Sequence, residues 1–405
     1  MTARHELEQL LSLDPDKVRA DAERAWPALV GRGRSVVLHG AGGLGERMLA
    51  AMRVDGADAV AFSDNSSARQ GTVVAGLPVL APADAVKRFP GAIFVITIWG
   101  ANSPHRQAQS REQLRALGAV DVVSFPVVGW HHRGALPHYL VDMPDAPLRA
   151  ALAVREAFEL FADESSRQEF VDQLRLRITG SFDHLRGPAW HPQYYPPDIV
   201  DWRAGEIVVD GGAYDGDSLR SWTGWRGADF ARWIAAEPDP ANLERLRATC
   251  AALGADVAAR VIVLEVALTT RHGEMRFSAT GTAGAAAVAS GAVSASTSAA
   301  TATTVVRTAP LDALVANDAV SFIKLDIEGG ELDALTGAAA TIARARPVLA
   351  ICAYHLQDHL WRVPLLCSAL LSQSQIVLRP HNEEGWDLVC YAVPEERWKQ
   401  PAEIV

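Results

Sequence analysis

The chain has 405 residues, 49% hydrophobic and 21% charged, the balance of a folded globular protein with room for two or three domains. That composition excludes disorder throughout, and a formal net charge of −10 argues against a nucleic-acid binder, which needs a basic face. Cys250, Cys352, Cys367 and Cys390 are too few and too scattered for a disulfide framework or a zinc site, and read as buried free thiols.

Residues 1–30 have the period of an amphipathic helix and are too acidic for a leader peptide. No run of eighteen apolar residues occurs, so no membrane insertion and a cytoplasmic location are expected. SVVLHG (35–40), AVAFSD (59–64) and AIFVIT (92–97) read as strands, and ERMLAAMR between the first two as a helix. Alternation of this kind predicts a parallel sheet with crossover helices. Gly40-x-Gly42-x-x-Gly45 after the first strand, with Asp64 ending the second, fits a dinucleotide fingerprint. NAD or a nucleotide-sugar is one reading of that loop, and a scaffold or dimerisation role is the other.

Residues 148–205 read as a helical and aromatic connecting cap. ALAVREAFELFADESSRQEFVDQLRLRI is helical in period, whereas GPAWHPQYYPPDIVDW is an ordered loop stiffened by proline. A second strand series follows: EIVVDGG (206–212), WIAAEPD (233–239), VIVLEVAL (261–268), FIKLDIEG (322–329) and PVLAICAYH (347–355). SQIVLRP (374–380) and DLVCYAVP (387–394), joined through Gly385, predict a closing β-hairpin. The Ala/Ser/Thr-rich stretch 278–305 reads as a surface loop.

The densest signal is Asp210-Gly211-Gly212-Ala213-Tyr214-Asp215-Gly216-Asp217-Ser218 at a strand end. Glycines admit a ligand close to the backbone, and free N–H groups at a helix start suit an anionic end. Asp210 can accept from an ammonium. Glu237, with Asp239 behind it, ends the next strand, where a carboxylate can receive both hydroxyls of a ribose; a helix-terminal acid is the plainer alternative for this pair. Ala267, ending the third strand, lies where an adenine would sit. Asp326, Glu328 and Glu331 follow the fourth strand, and His355 and Asp358 the fifth. His355 is a candidate general base because its ordinary pKa lies near neutrality.

These motifs, with ALTTRHGEMRF, TAPLDAL, RPVLAICAYH and the closing hairpin, make residues 165–395 resemble the FkbM family of S-adenosylmethionine-dependent methyltransferases. The resemblance implies an α/β fold: a class I methyltransferase sheet over 206–405 whose last strand is antiparallel, preceded over 1–147 by a smaller Rossmann-like unit. It implies O-methylation of a sugar, glycan precursor or natural product, with S-adenosylmethionine against Asp210, Gly211, Gly212, Ala213, Tyr214, Gly216, Ser218, Glu237, Asp239, Ala267 and Asp326. His355 or Asp326 would take the hydroxyl proton. Alternatively, Asp326, Glu328, His355 and Asp358 would hold Mg²⁺. Tyr194, Tyr195, Glu328, His355, Asp358 and His381 are candidates to meet a small-molecule or glycan acceptor, as are Trp190 and Trp361. A homodimer fits the extra sheet unit. The competing functional reading is a non-catalytic nucleoside-binding partner in a biosynthetic complex.

Overall fold

The computed structural model of the protein describes residues 2–399 other than 32, 102, 104, 186, 189–191, 279–285 and 288–302. Trp190, His191 and most of the Ala/Ser/Thr stretch therefore lie outside the described residues. The first sheet comprises β1 (Val36–His39), β2 (Ala61–Ser63), β3 (Val73–Val74), β4 (Leu77–Leu80), β5 (Ile93–Ile96) and β6 (Asp121–Ser124), in the order β3-β4-β2-β1-β5-β6. Every pairing is parallel except β3 with β4. All residues of β1 and β5 are buried, which is why these segments read as unbroken apolar runs.

The second sheet contains β7 (Glu206–Gly211), β8 (Phe230–Ala236) and β9 (Val261–Leu264). Next in the chain come β10 (Ala267–Leu268), β11 (Gly273–Ser278), β12 (Ala286–Ala287) and β13 (Thr303–Ala309), which form a separate four-stranded sheet. β14 (Phe322–Leu325), β15 (Val348–Cys352), β16 (Ser374–Pro380) and β17 (Leu388–Pro394) complete the second sheet in the order β16-β17-β15-β14-β7-β8-β9. β17 runs antiparallel to both neighbours, as the hairpin predicted. Two expectations need correction. VIVLEVAL is not one strand: it breaks at Glu265 and Val266, so that Ala267 and Leu268 pair with β13. The 1–30 helix is two, Ala3–Leu11 and Pro15–Val30, the second capped by Asp14.

The four cysteines are buried and free, as expected, and no helix among the described residues is long and apolar enough to cross a membrane. The connecting helices bind the two sheets together. Asp163 caps the helix Glu164–Thr179 and pairs with Arg379 of β16 at 2.6 Å. Buried Arg177 on that helix donates to Gln357 O at 3.2 Å. One apolar cluster runs from Leu38 and Trp99 of the first unit to Val393 of the second.

Both sheets present their carboxyl ends to the turn 381–387 before β17. Beyond β5, Trp99 Nε1 donates to Glu384 O at 3.1 Å, and Ala101 O accepts from Asn382 at 3.0 Å. Arg106 pairs with Glu383.

Candidate active site

In the second sheet the chain winds one way from β7 to β8 and β9, and the other way to β14 and β15. Ligands of such sheets bind where the winding reverses, here between the tips of β7 and β14. The tips nearly touch. Gly212 has φ 72, and a Cβ there would lie 1.9 Å from Asp326 O. Only glycine fits, and its first duty is to this backbone contact rather than to a ligand.

Asp210 and Lys324 face each other across β7 and β14, with Lys324 Nζ 2.9 Å from Asp210 Oδ1 and 2.7 Å from Gly212 O. Both are almost wholly buried. Trp233 Nε1 donates to the other Asp210 oxygen at 3.3 Å. The ammonium that meets Asp210 is thus the protein's own, which corrects the expectation that this acid awaits one from a ligand. Burial opposes the charge on Lys324, but Asp210, Asp326 and Asp217 outweigh it and raise its pKa.

On the β8 side, Glu237 Oε2 accepts from Tyr214 N at 2.9 Å, and Oε1 from Asp239 N at 2.9 Å and Asn242 Nδ2 at 3.3 Å. Burial pushes its pKa up while these donors oppose. Three of about four lone-pair positions are engaged. Glu237 therefore has one place left for a hydroxyl, on Oε2, not the two that a diol would use. Asp239 caps the helix Pro240–Ala252 by accepting from Ala241 N and Asn242 N, so its carboxylate serves the fold. Ser218 also turns inward: its carbonyl accepts from Tyr195 OH at 3.0 Å.

On the β14 side a cluster forms around His355. Its Nδ1 is 2.7 Å from Glu331 Oε1, and its Nε2 is 3.2 Å from Asp326 and 3.7 Å from Glu328. His359 meets the second Glu331 oxygen at 3.2 Å. Burial works against a charged His355, yet Glu331, Glu328 and Asp326 together raise its pKa well above 6.5. The protonated form is thereby favoured, and it suits His355 to holding these carboxylates more than to accepting a proton. Burial would raise Asp326 and Glu331 too, but His355 and other donors hold both far below the usual carboxylate range. Glu328 behaves differently. Burial pushes it up to about 7, against the pull of His355 and with Asp326 and Glu331 adding to the rise. A carboxyl that ionises near 7 is poised to accept a proton at neutral pH.

Other predicted residues are placed as follows. Tyr194 reaches the site, but to hold Asp326: its hydroxyl donates to Oδ2 at 2.7 Å. Tyr195 does not; it is fully buried among Trp202, Trp222, Trp225 and Phe322. His381 bonds Tyr391 OH at 2.8 Å, and that hydroxyl accepts from Tyr194 N at 2.9 Å. His381 therefore braces the site from behind. Trp361 is buried as well. Asp358 pairs with Arg362 at 2.8 Å at a helix start, so the proposed Mg²⁺ set is not assembled. No group of three or more His, Cys, Asp or Glu side chains suited to a metal occurs among the described residues.

The fingerprint in the first unit binds itself. Gly40 has φ 122, and a Cβ there would lie 2.7 Å from Ile98. Asp64 accepts from Ala41 N and Ser66 N, both at 2.8 Å. Arg69 donates to Ala41 O. Gly45 packs against Gly40 O, whereas Gly42 has only Arg69 3.7 Å away on its Cβ side and Gly43 has nothing within 4 Å. Asp64 is already held by the loop.

Sequence reasoning missed Lys324, Asp387, Tyr139 and Trp386. A lysine inside the apolar run FIKLD was a readable signal, because a buried charge requires a partner. Asp387 accepts from Tyr354 OH at 3.3 Å and Asn382 at 3.1 Å. Tyr139 comes from the first unit, with its ring centroid 6.3 Å from His355 and 4.6 Å from Trp386. Backbone strain collects here. Tyr139, Tyr194, Tyr214, Glu328, Glu384 and Asp387 are among the non-glycine residues with positive φ, a conformation that persists where the surroundings impose it.

A protein-family model, the methyltransferase FkbM domain, matches residues 210–368. The crystal structure of methyltransferase FkbM from Methylobacillus flagellatus KT is similar over 94% of this chain and 100% of that one, with a TM-score of 0.72 and 21% identity. A precorrin-6y C5,15-methyltransferase from Geobacter metallireducens GS-15 aligns over 48% of this chain and 84% of its own, with a TM-score of 0.30 and 11% identity. No curated protein matches. The seven-stranded sheet with its reversed β17 carries, over residues 210–368, a stretch similar to the methyltransferase FkbM domain.

Proposed function

We propose that the protein transfers the methyl group of S-adenosylmethionine to a hydroxyl of a sugar, glycan precursor or other natural product. The observation that carries this reading is the placement of two kinds of carboxylate on either side of one strand tip. Glu237 is fixed beside the glycine-rich end of β7, and Glu328, ionising near 7, stands beyond β14. Glu237 Oε2 would take one ribose hydroxyl, and Tyr214, whose ring lies 5.4 Å below Arg245, would flank the donor.

The sulfonium of the bound donor supplies a methyl group already activated for displacement. What the chain must add is position and a proton acceptor. Holding the acceptor oxygen about 3–3.5 Å from the methyl carbon in line with the breaking bond makes the step effectively unimolecular. Glu328 takes the hydroxyl proton and becomes a carboxylic acid. The His355 imidazolium stays charged throughout and keeps Asp326 and Glu331 ionised and fixed.

Calorimetry with S-adenosylhomocysteine tests the donor site. Micromolar-range binding is expected, weakened at least tenfold in Glu237→Ala, because a charge-assisted hydrogen bond contributes about 1.5–3 kcal/mol. Unchanged affinity in that variant would refute the ribose assignment.

A further inference from the structure

Resting on that reading, the acceptor side of the crevice can be taken one step further. Residues 138–141 form a tight turn, closed by His138 N to Val141 O at 2.9 Å and Val141 N to His138 O at 3.1 Å. Tyr139 stands at its tip with φ 49, a conformation that favours glycine. The helix Gly43–Val54 holds this turn in place. Its Arg47 donates to Ala135 O at 2.7 Å and to Pro137 O at 2.8 Å. The turn thereby carries a tyrosine from the first unit to within one ring's reach of His355. There the ring leans on Trp386, which in turn lies 4.7 Å from Trp99.

Hydrogen bonding separates the hydroxyls of Tyr139 and Tyr214 from those of the other tyrosines. Tyr194, Tyr195 and Tyr354 donate to Asp326, Ser218 O and Asp387, and Tyr391 bonds His381. Among the described residues the Tyr139 hydroxyl has no such partner, although the residue is only partly exposed. The indole N–H of Trp386 is likewise buried with no acceptor. Buried or half-buried polar groups are ordinarily paired. A partly exposed phenol without a partner, close enough to Asp326 and Glu328 to feel their charge and 6.3 Å ring to ring from His355, suits a polyhydroxylated ring. Aromatic faces cover its apolar C–H face, donors meet its oxygens and carboxylates accept from its hydroxyls.

We propose that Tyr139 is the acceptor-recognising residue contributed by the first unit: a pyranose ring packs on the Tyr139 ring, which buried Trp386 supports, with the hydroxyl to be methylated held between the Tyr139 phenol and Glu328. The full-length protein is titrated with methyl α-D-glucopyranoside, methyl α-D-galactopyranoside and methyl α-L-rhamnopyranoside by ligand-observed NMR, with and without S-adenosylhomocysteine. At least one glycoside should bind the native chain. Tyr139→Ala should weaken it at least fivefold and Tyr139→Phe at least twofold, with S-adenosylhomocysteine affinity kept within twofold. If none of the three binds, or if both variants bind as the native chain does, the proposal is overturned. If Tyr139→Ala also loses the nucleoside, the fold has been disturbed, and Tyr139→Phe, which keeps the ring on Trp386, decides alone. Failure of the native chain to bind S-adenosylhomocysteine strikes the methyl-transfer reading instead, and the glycoside titration without it still judges Tyr139.

Discussion

Replacing Glu328 by glutamine should make the protein more stable in mild alkali while removing the proposed proton acceptor. The folded carboxyl ionises at about 7, whereas an unfolded glutamate ionises near 4.3. The folded state therefore binds this proton more tightly. Stability from that proton is fully present below the unfolded pKa and is lost as pH rises through about 7. At 1.36 kcal/mol for each pH unit of that gap, Glu328 costs the folded chain about 4 kcal/mol at pH 8. Its side chain is only 15% exposed, so solvent screening removes little of this. Glutamine keeps the shape, the backbone strain at φ 54 and half of the hydrogen-bonding capacity, without the charge. The pH dependence of the native chain cannot be assigned to Glu328 by itself, because burial also pushes Glu384 up to about 7. The difference between native chain and variant removes that background. Thermal melts at pH 5 and pH 8 should show a Glu328→Gln advantage at pH 8 that shrinks at pH 5. A variant no more stable than the native chain at pH 8, or an advantage independent of pH, would refute the assignment of a raised pKa to this acid.

Two further outcomes test the rest of the crevice. Lys324→Met leaves Asp210 buried with no counter-charge and should cost about 3–5 kcal/mol in urea denaturation. Adding Asp210→Asn should recover part of that loss, and a Lys324→Met variant within 1 kcal/mol of the native chain (well below the roughly 3–5 expected) would contradict the pairing. Asp239→Ala should cost about 1 kcal/mol through its lost helix cap while leaving S-adenosylhomocysteine affinity nearly unchanged. A large loss of affinity on calorimetry would return Asp239 to the donor site.

The strands were legible because buried parallel strands are written as short apolar runs, and the acid ending β7 or β8 follows directly in the chain. Residue type at a strand end predicted position well. It did not predict occupancy: Asp210, Asp64 and Asp239 were all rightly located, and all bind neighbours within the protein. Nor did it predict charge state. A histidine near a ligand crevice suggests a base, but His355 is surrounded by acids from three positions on another segment, and only their convergence raises its pKa. Tyr139 was invisible for a different reason. HYLV has no periodicity, and the tyrosine matters only because the turn 138–141 meets the closing hairpin across the fold.

The wedge formed by residues 381–387 also bears on how this enzyme type could be re-engineered. The stretch matched by the family model ends at residue 368, before β16, β17 and Trp386, and begins long after Tyr139. A gene trimmed to those limits would bare one side of β15, a wholly apolar edge prone to sticking to its own kind. Under the acceptor site proposed above, changing acceptor preference would likewise require altering two distant pieces at once, the turn 138–141 and the late hairpin, which meet through Tyr139 and Trp386.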